Sequence, residues 1–313
     1  IKTKSKEPNP GTDGRSSKYI IRKEGLLMKL LKDAIDMHIH GFPDVVPRKL
    51  SDIEIVKQAI NEEMYAVVLK THLGSTAARA ILVDEATSHQ IHICGGISLN
   101  SFIGGFNPLA LKVALAMNAK IVWMPTFTAK NHLSYERKNN KSVNTLSELC
   151  KNLEGLSIFD SAHQVRKDVI KILKLISETN VLLCCGHIGI IESKALIPLA
   201  QQLGIKRIVY NHPNNPINPA TLNDQLWLVE HNVILERCIV DIVQNLVDWP
   251  TVTDEIRKTG VKNNIISTDL GQAKNITPIE GLKLAVTKLK EFDFSNDEIK
   301  SLISDTPKKM LNI

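Results

Sequence analysis

Short runs rich in Val, Ile and Cys alternate along most of this chain with amphipathic stretches. The runs fall at residues 34–38, 65–72, 91–97, 120–126, 181–187, 206–212, 232–238 and 264–269. Runs of this kind bounded by turn signals fit strands, and the stretches between them carry helix starts. Ser51-x-x-Glu54, Thr277-Pro278-x-Glu280 and Ser295-x-x-Glu298 are capping boxes, in which hydroxyl and carboxylate each satisfy an orphan N–H. Apolar Val165, Val169, Ile172, Leu173, Leu175 and Ile176 mark a one-sided helix over 164–178. Eight strands alternating with helices predict an α/β fold with a parallel sheet. Periodicity alone does not separate an open doubly wound sheet from a closed (β/α)8 TIM barrel; near-regular spacing favours the barrel.

Spacing also locates an insertion. From His40 to His72 is 32 residues, from His187 to His212 is 25, from His212 to Glu236 is 24 and from Glu236 to Asp269 is 33. Between Thr126 and His187 the interval is 61, about one unit too many, so residues 127–163 read as an insertion after strand four, placed to serve as a lid or rim. Residues 1–33 form a short basic segment before the barrel at 34–313. They carry nine Lys/Arg against four acids, so most of the net charge of +6 lies there and the body is near neutral.

That distribution, with 4% aromatic residues, argues against a nucleic-acid role. Five cysteines without a framework read as reduced residues of a cytoplasmic protein, and no apolar run approaches the ~20 residues of a membrane span. A homo-oligomer is left open.

In a parallel barrel, chemistry gathers where strands end. Strand one ends in Asp36-Met37-His38-Ile39-His40, where a period of two puts Asp36, His38 and His40 on one side. Strand two ends in Lys70-Thr71-His72, strand five in His187, strand six in His212, strand seven in Glu236 and strand eight in Asp269. A lone H-x-H is weak. Imidazoles and a carboxylate converging from several strands are what a divalent cation such as zinc needs. Lys70 has three readings: a cation for an anionic substrate group, a carboxylated bridge between metals, or a structural lysine. The first is preferred, because a buried ammonium needs a charge partner.

These residues resemble the amidohydrolase superfamily over 34–313. The H-x-H of strand one, a histidine after each of strands five and six, the aspartate after strand eight and a closing Asp305-Thr306-Pro307-Lys308-Lys309-Met310-Leu311 carry the likeness. The phrases VLKTH, VWMPT and STDLGQ are similar to a metal-dependent hydrolase-like subgroup of unestablished activity. The resemblance implies a metal held by His38, His40 and Asp269 and joined by His187, with His212 on a second metal or on substrate. Strand four departs from the pattern: residues 121–126 bring neither lysine nor glutamate to bridge two metals. The site is then mononuclear, or His72 and Lys70 build an unusual second one.

The implied reaction is hydrolysis of a C–N or C–O bond in a small, anionic molecule, with Asp269 moving the proton and His212 steadying the oxyanion. Arg48, Lys70, His72 and Glu236 are the residues expected to meet substrate, Glu236 alternatively steadying a ligand histidine. Lys130, Asn131 and His132 read as rim. Two alternatives stand beside this one. A PHP-type phosphoesterase also opens with H-x-H, but Asp269-Leu270-Gly271 lacks its closing D-x-H; a barrel that binds metal or metabolite without turnover is the other.

Overall fold

The computed structural model describes residues 31–139 and 145–313. The basic segment expected at 1–33 therefore lies almost wholly outside the described residues. All eight expected strands are present: β1 (Ile35–Ile39), β2 (Ala66–Leu69), a third in two pieces, β3 (His92–Cys94) and β4 (Gly96–Ser98), then β5 (Ile121–Trp123), β6 (Leu182–Cys184), β7 (Ile208–Asn211), β8 (Ile234–Cys238) and β9 (Asn264–Ser267). They form two parallel sheets, ordered β1-β2-β3 and β4-β5-β6-β7-β8-β9. Gly95 separates the pieces of the third strand. A Cβ there would lie 2.7 Å from Ala77 Cα and from the Thr76 carbonyl oxygen, so the helix start passes over bare backbone.

The last strand runs back to the first. Ile39 and Leu270 form a parallel bridge, His40 N donates to the Leu270 carbonyl (2.9 Å) and Asp269 N to the His38 carbonyl (2.7 Å). Residues from β1 round to β9, among them Ile35, Ala66, Ile121, Trp123, Leu182, Val209 and Ile265, pack into one cluster, while two larger clusters fill the space between strands and helices.

The expected capping boxes at Ser51, Thr277 and Ser295 are all formed, with a fourth at Thr221 and Asp224. The expected one-sided helix runs over Lys167–Thr179. Residues 127–163 contribute helices Lys130–Lys138 and Thr145–Cys150; Phe127, Leu133, Leu146 and Cys150 form a small apolar cluster that also takes in Val46, Leu73 and Phe102.

One expectation fails at β1. Asp36 pairs in register with Val67, but Ile39 pairs with Leu69, so β1 carries an extra residue. A bulge re-aims side chains beyond it. Asp36 is therefore not in line with His38 and His40: its carboxylate accepts from Thr268 N (3.0 Å) and Thr268 Oγ1 (2.6 Å). Burial raises this carboxyl to about 7 despite those bonds.

Candidate metal centre

The strand ends open on a cavity of about 240 Å³ lined by His40, Arg48, His72, His132, His187, His212 and Asp269. Asp269, two residues beyond the end of β9, is the carboxylate that three of the histidines face. His38 Nε2 and His40 Nε2 lie 2.8 and 2.9 Å from Asp269 Oδ1, and His212 Nε2 lies 3.4 Å from Oδ2. Burial pushes the Asp269 carboxyl up, but the charge and hydrogen bond of His38, with His40 and His212, hold it well below the usual carboxylate range.

The histidines differ in what holds the other ring nitrogen. His38 Nδ1 faces Glu236 Oε2 (3.4 Å), and His212 Nδ1 faces Asp241 Oδ2 (3.2 Å). An ionised carboxylate only accepts, so each Nδ1 carries a proton, and Nε2 is the nitrogen each ring can offer to a cation in exchange for its own proton. Glu236 is held in turn by Asn211 and Asp241 by Asn215. Glu236 is buried, yet His38, then His212 and Asn211, keep it at about 2. Burial pulls the His212 imidazole down, and Asp241 more than reverses this, to about 9.

His40 is held the opposite way. An Arg48 guanidinium nitrogen lies 3.3 Å from its Nδ1. A guanidinium only donates, so Nδ1 accepts, Nε2 carries the proton, and His40 donates to Asp269 instead of offering it a lone pair. Burial, then the charge of Arg48, keeps this ring well below the usual imidazole range. The expectation that His40 is a ligand meets this obstacle: with Arg48 in place, its inward nitrogen is a donor.

His187 and His72 also stand apart from the inner group. His187 Nδ1 is 2.7 Å from His132 Nδ1, with the rings stacked at 4.9 Å, and His72 Nδ1 is 2.9 Å from Thr126 Oγ1. Burial keeps both rings below the usual imidazole range.

Lys70 is buried against the Trp123 ring, its Nζ 5.5 Å from the ring centre and 2.8 Å from His38 Nε2. Burial lowers its pKa; Asp269 and Glu236 oppose that. Arg48 lines the cavity while paired to Asp44 at 2.7 Å. Glu236, expected at the substrate, instead lies behind His38, as the alternative reading had it.

Among the described residues, one set of ligand atoms lies mutually within 4.8 Å: His38, His212, Cys238 and Asp269. A tetrahedron with ligand bonds of about 2.0–2.2 Å has edges of about 3.3–3.6 Å. The His212–Asp269 edge of 3.4 Å matches, and the His38–Asp269 edge of 2.8 Å needs a parting of about half an ångström, so the donor set fits a divalent cation after a small side-chain shift. Sequence reasoning missed Cys238 and Asp241 and placed His132 at the rim. Cys238 was open to detection, two residues beyond Glu236 and hence on its side of the strand; Asp241, in the short helix Ile239–Val243, carried no such signal.

Solved structures share this fold at low identity. An amidohydrolase from Pseudomonas aeruginosa superposes with a TM-score of 0.61 at 11% identity, covering 91% of this chain and 98% of its own. A probable dipeptidase from the same organism gives 0.59 at 8%, covering 94% and 98%. A phosphotriesterase homology protein from Escherichia coli, complexed with phosphate in its active site, gives 0.55 at 10%, covering 90% and 99%. The expected likeness to amidohydrolases thus holds for the fold. No curated protein matches the chain. A family model matches residues 33–236, well over half of the chain: the protein belongs to the family of unknown function DUF6282.

Proposed function

We propose that this protein is a metal-dependent hydrolase of the amidohydrolase type, acting on a C–N or C–O bond of a small anionic molecule. The observation that carries the reading is the pair of carboxylate-backed histidines, His38 and His212, whose Nε2 atoms both face Asp269. His38, His212 and Asp269 would hold the cation, for which zinc suits the mixed nitrogen and oxygen donors. When bound, such a cation supplies Lewis acidity and makes water a usable nucleophile near neutral pH.

The protein's own groups do the rest. Asp269 accepts the water's proton and returns it to the leaving group. His72 and His187 line the cavity as neutral rings and orient the substrate's oxygen; Arg48 lines it too and draws the anionic end, while Lys70, expected to do the same, is buried beside His38 and adds only its charge. In the same reading the two sheets close as one TIM barrel, supported by the bonds of Asp269 and Leu270 with His38 and His40, and Phe127, His132 and Glu136 of the insertion line its mouth. Five buried free cysteines suit a reducing cytoplasm.

The test is elemental analysis of the purified protein together with a panel of lactones, amides and phosphoesters, with and without chelator. Turnover of an amide or lactone that chelation abolishes and zinc restores is expected. Turnover indifferent to chelation, or a metal-loaded protein that turns over none of the panel, overturns the reading.

A further inference from the structure

Cys238 ends β8, is 4% exposed, and forms no disulfide. Its Sγ lies 3.8 Å from His212 Nε2, on the nitrogen that Asp241 leaves without a proton when the ring is neutral. A second observation points to the same spot independently of the sulfur. His38 Nε2 and Asp269 Oδ1 stand 2.8 Å apart while Glu236 accepts from His38 Nδ1, so when the ring is neutral its Nε2 lone pair faces the carboxylate, and a cation can take the place of the proton that otherwise joins them. Lys70 is the nearest one, 2.8 Å from the same nitrogen.

We propose that the cation of this site is bound by the Cys238 thiolate, together with His38, His212 and Asp269, and that His40 is held out of the set by Arg48. The inference rests on the metal reading of the preceding subsection and changes its ligand set. Loading the metal breaks the S–H bond of Cys238 and sends that proton to solvent, so metal and thiolate enter together. Two anionic ligands then balance the charge of a divalent ion, and a sulfur donor shifts preference towards zinc and away from magnesium, calcium or manganese.

A cobalt titration of the metal-depleted protein reads this directly, because only a bound thiolate gives an intense sulfur-to-cobalt charge-transfer band in the near ultraviolet. The wild type should show the band, Cys238→Ser should lose it and bind zinc at least about 100-fold more weakly, and Cys184→Ser should keep it. X-ray absorption at the zinc edge of the unmutated protein needs no variant, and should show a sulfur scatterer at about 2.3 Å beside nitrogen and oxygen at about 2.0–2.2 Å. Bound metal with only nitrogen and oxygen neighbours, or a band that survives Cys238→Ser, overturns the thiolate ligand and leaves the metal reading standing. A wild type that takes up neither zinc nor cobalt overturns both.

Discussion

Two walls of one cavity use the same residue type to opposite ends. On the inner wall, His38 and His212 rest against carboxylates and turn lone pairs inward. On the outer wall, His40 rests against a guanidinium and turns a proton inward, while His72 and His187 rest against a hydroxyl and another imidazole. The identity of the ring does not decide its chemistry. The partner behind it does, by fixing which nitrogen keeps the proton.

The comparison can be broken from its centre outwards. Asp269 serves both walls, so Asp269→Asn should remove turnover by about 10³-fold or more and strip the metal, read by steady-state kinetics and elemental analysis. Next come the supports: Glu236→Gln and Asp241→Asn should each weaken zinc binding by about 10- to 100-fold in competition with a chelator. Arg48→Gln, the matching change behind the outer wall, should leave zinc affinity undiminished or raise it, by freeing His40 Nε2 for the cation, and show also as a raised KM for an anionic substrate. Equal losses from all three would erase the distinction between the walls.

The pH dependence sharpens it. With His212 raised to about 9, a proton competes for its Nε2, so zinc affinity should fall by up to about tenfold per pH unit below that point from this group alone. In the metal-free chain the same shift stabilises the fold: the contribution is full below the ordinary imidazole range and is lost as pH rises through about 9. Asp241→Asn should flatten both trends, measured by chelator competition and thermal melts from pH 6 to 10. The smallest effect concerns Lys70, whose ammonium claims the His38 lone pair: Lys70→Met should tighten zinc binding several-fold, and weaker binding would make Lys70 a support and not a competitor.

How much of this was legible beforehand follows from backbone regularity. Strands and caps depend on local patterns, and Ser51, Thr277 and Ser295 sit where those patterns put them. His38, His212 and Asp269 were readable because parallel strands bring their C-terminal ends to one side. Asp36 was misplaced because a bulge is one residue of irregularity with no mark in the sequence, and the period-two rule carries straight through it. His40 was assigned by its spacing to His38. Its tautomer depends on Arg48, eight residues on in a loop, whose path no periodicity gives. Arg237 adjoins Glu236 but faces away, held by Glu255 and Asn264, as strand alternation requires.

The chain is made from one end, and that gives a schedule to the bonds between Asp269 and β1. His38 leaves the ribosome before its partner Asp269, which follows 231 residues later, and Gly271, whose Cβ would collide with the His40 carbonyl at 1.6 Å, comes later still. Until that stretch is translated, a nascent chain holds histidines and a thiol but no assembled cage. A product truncated before Asp269 would therefore lack the carboxylate that His38, His40 and His212 all face.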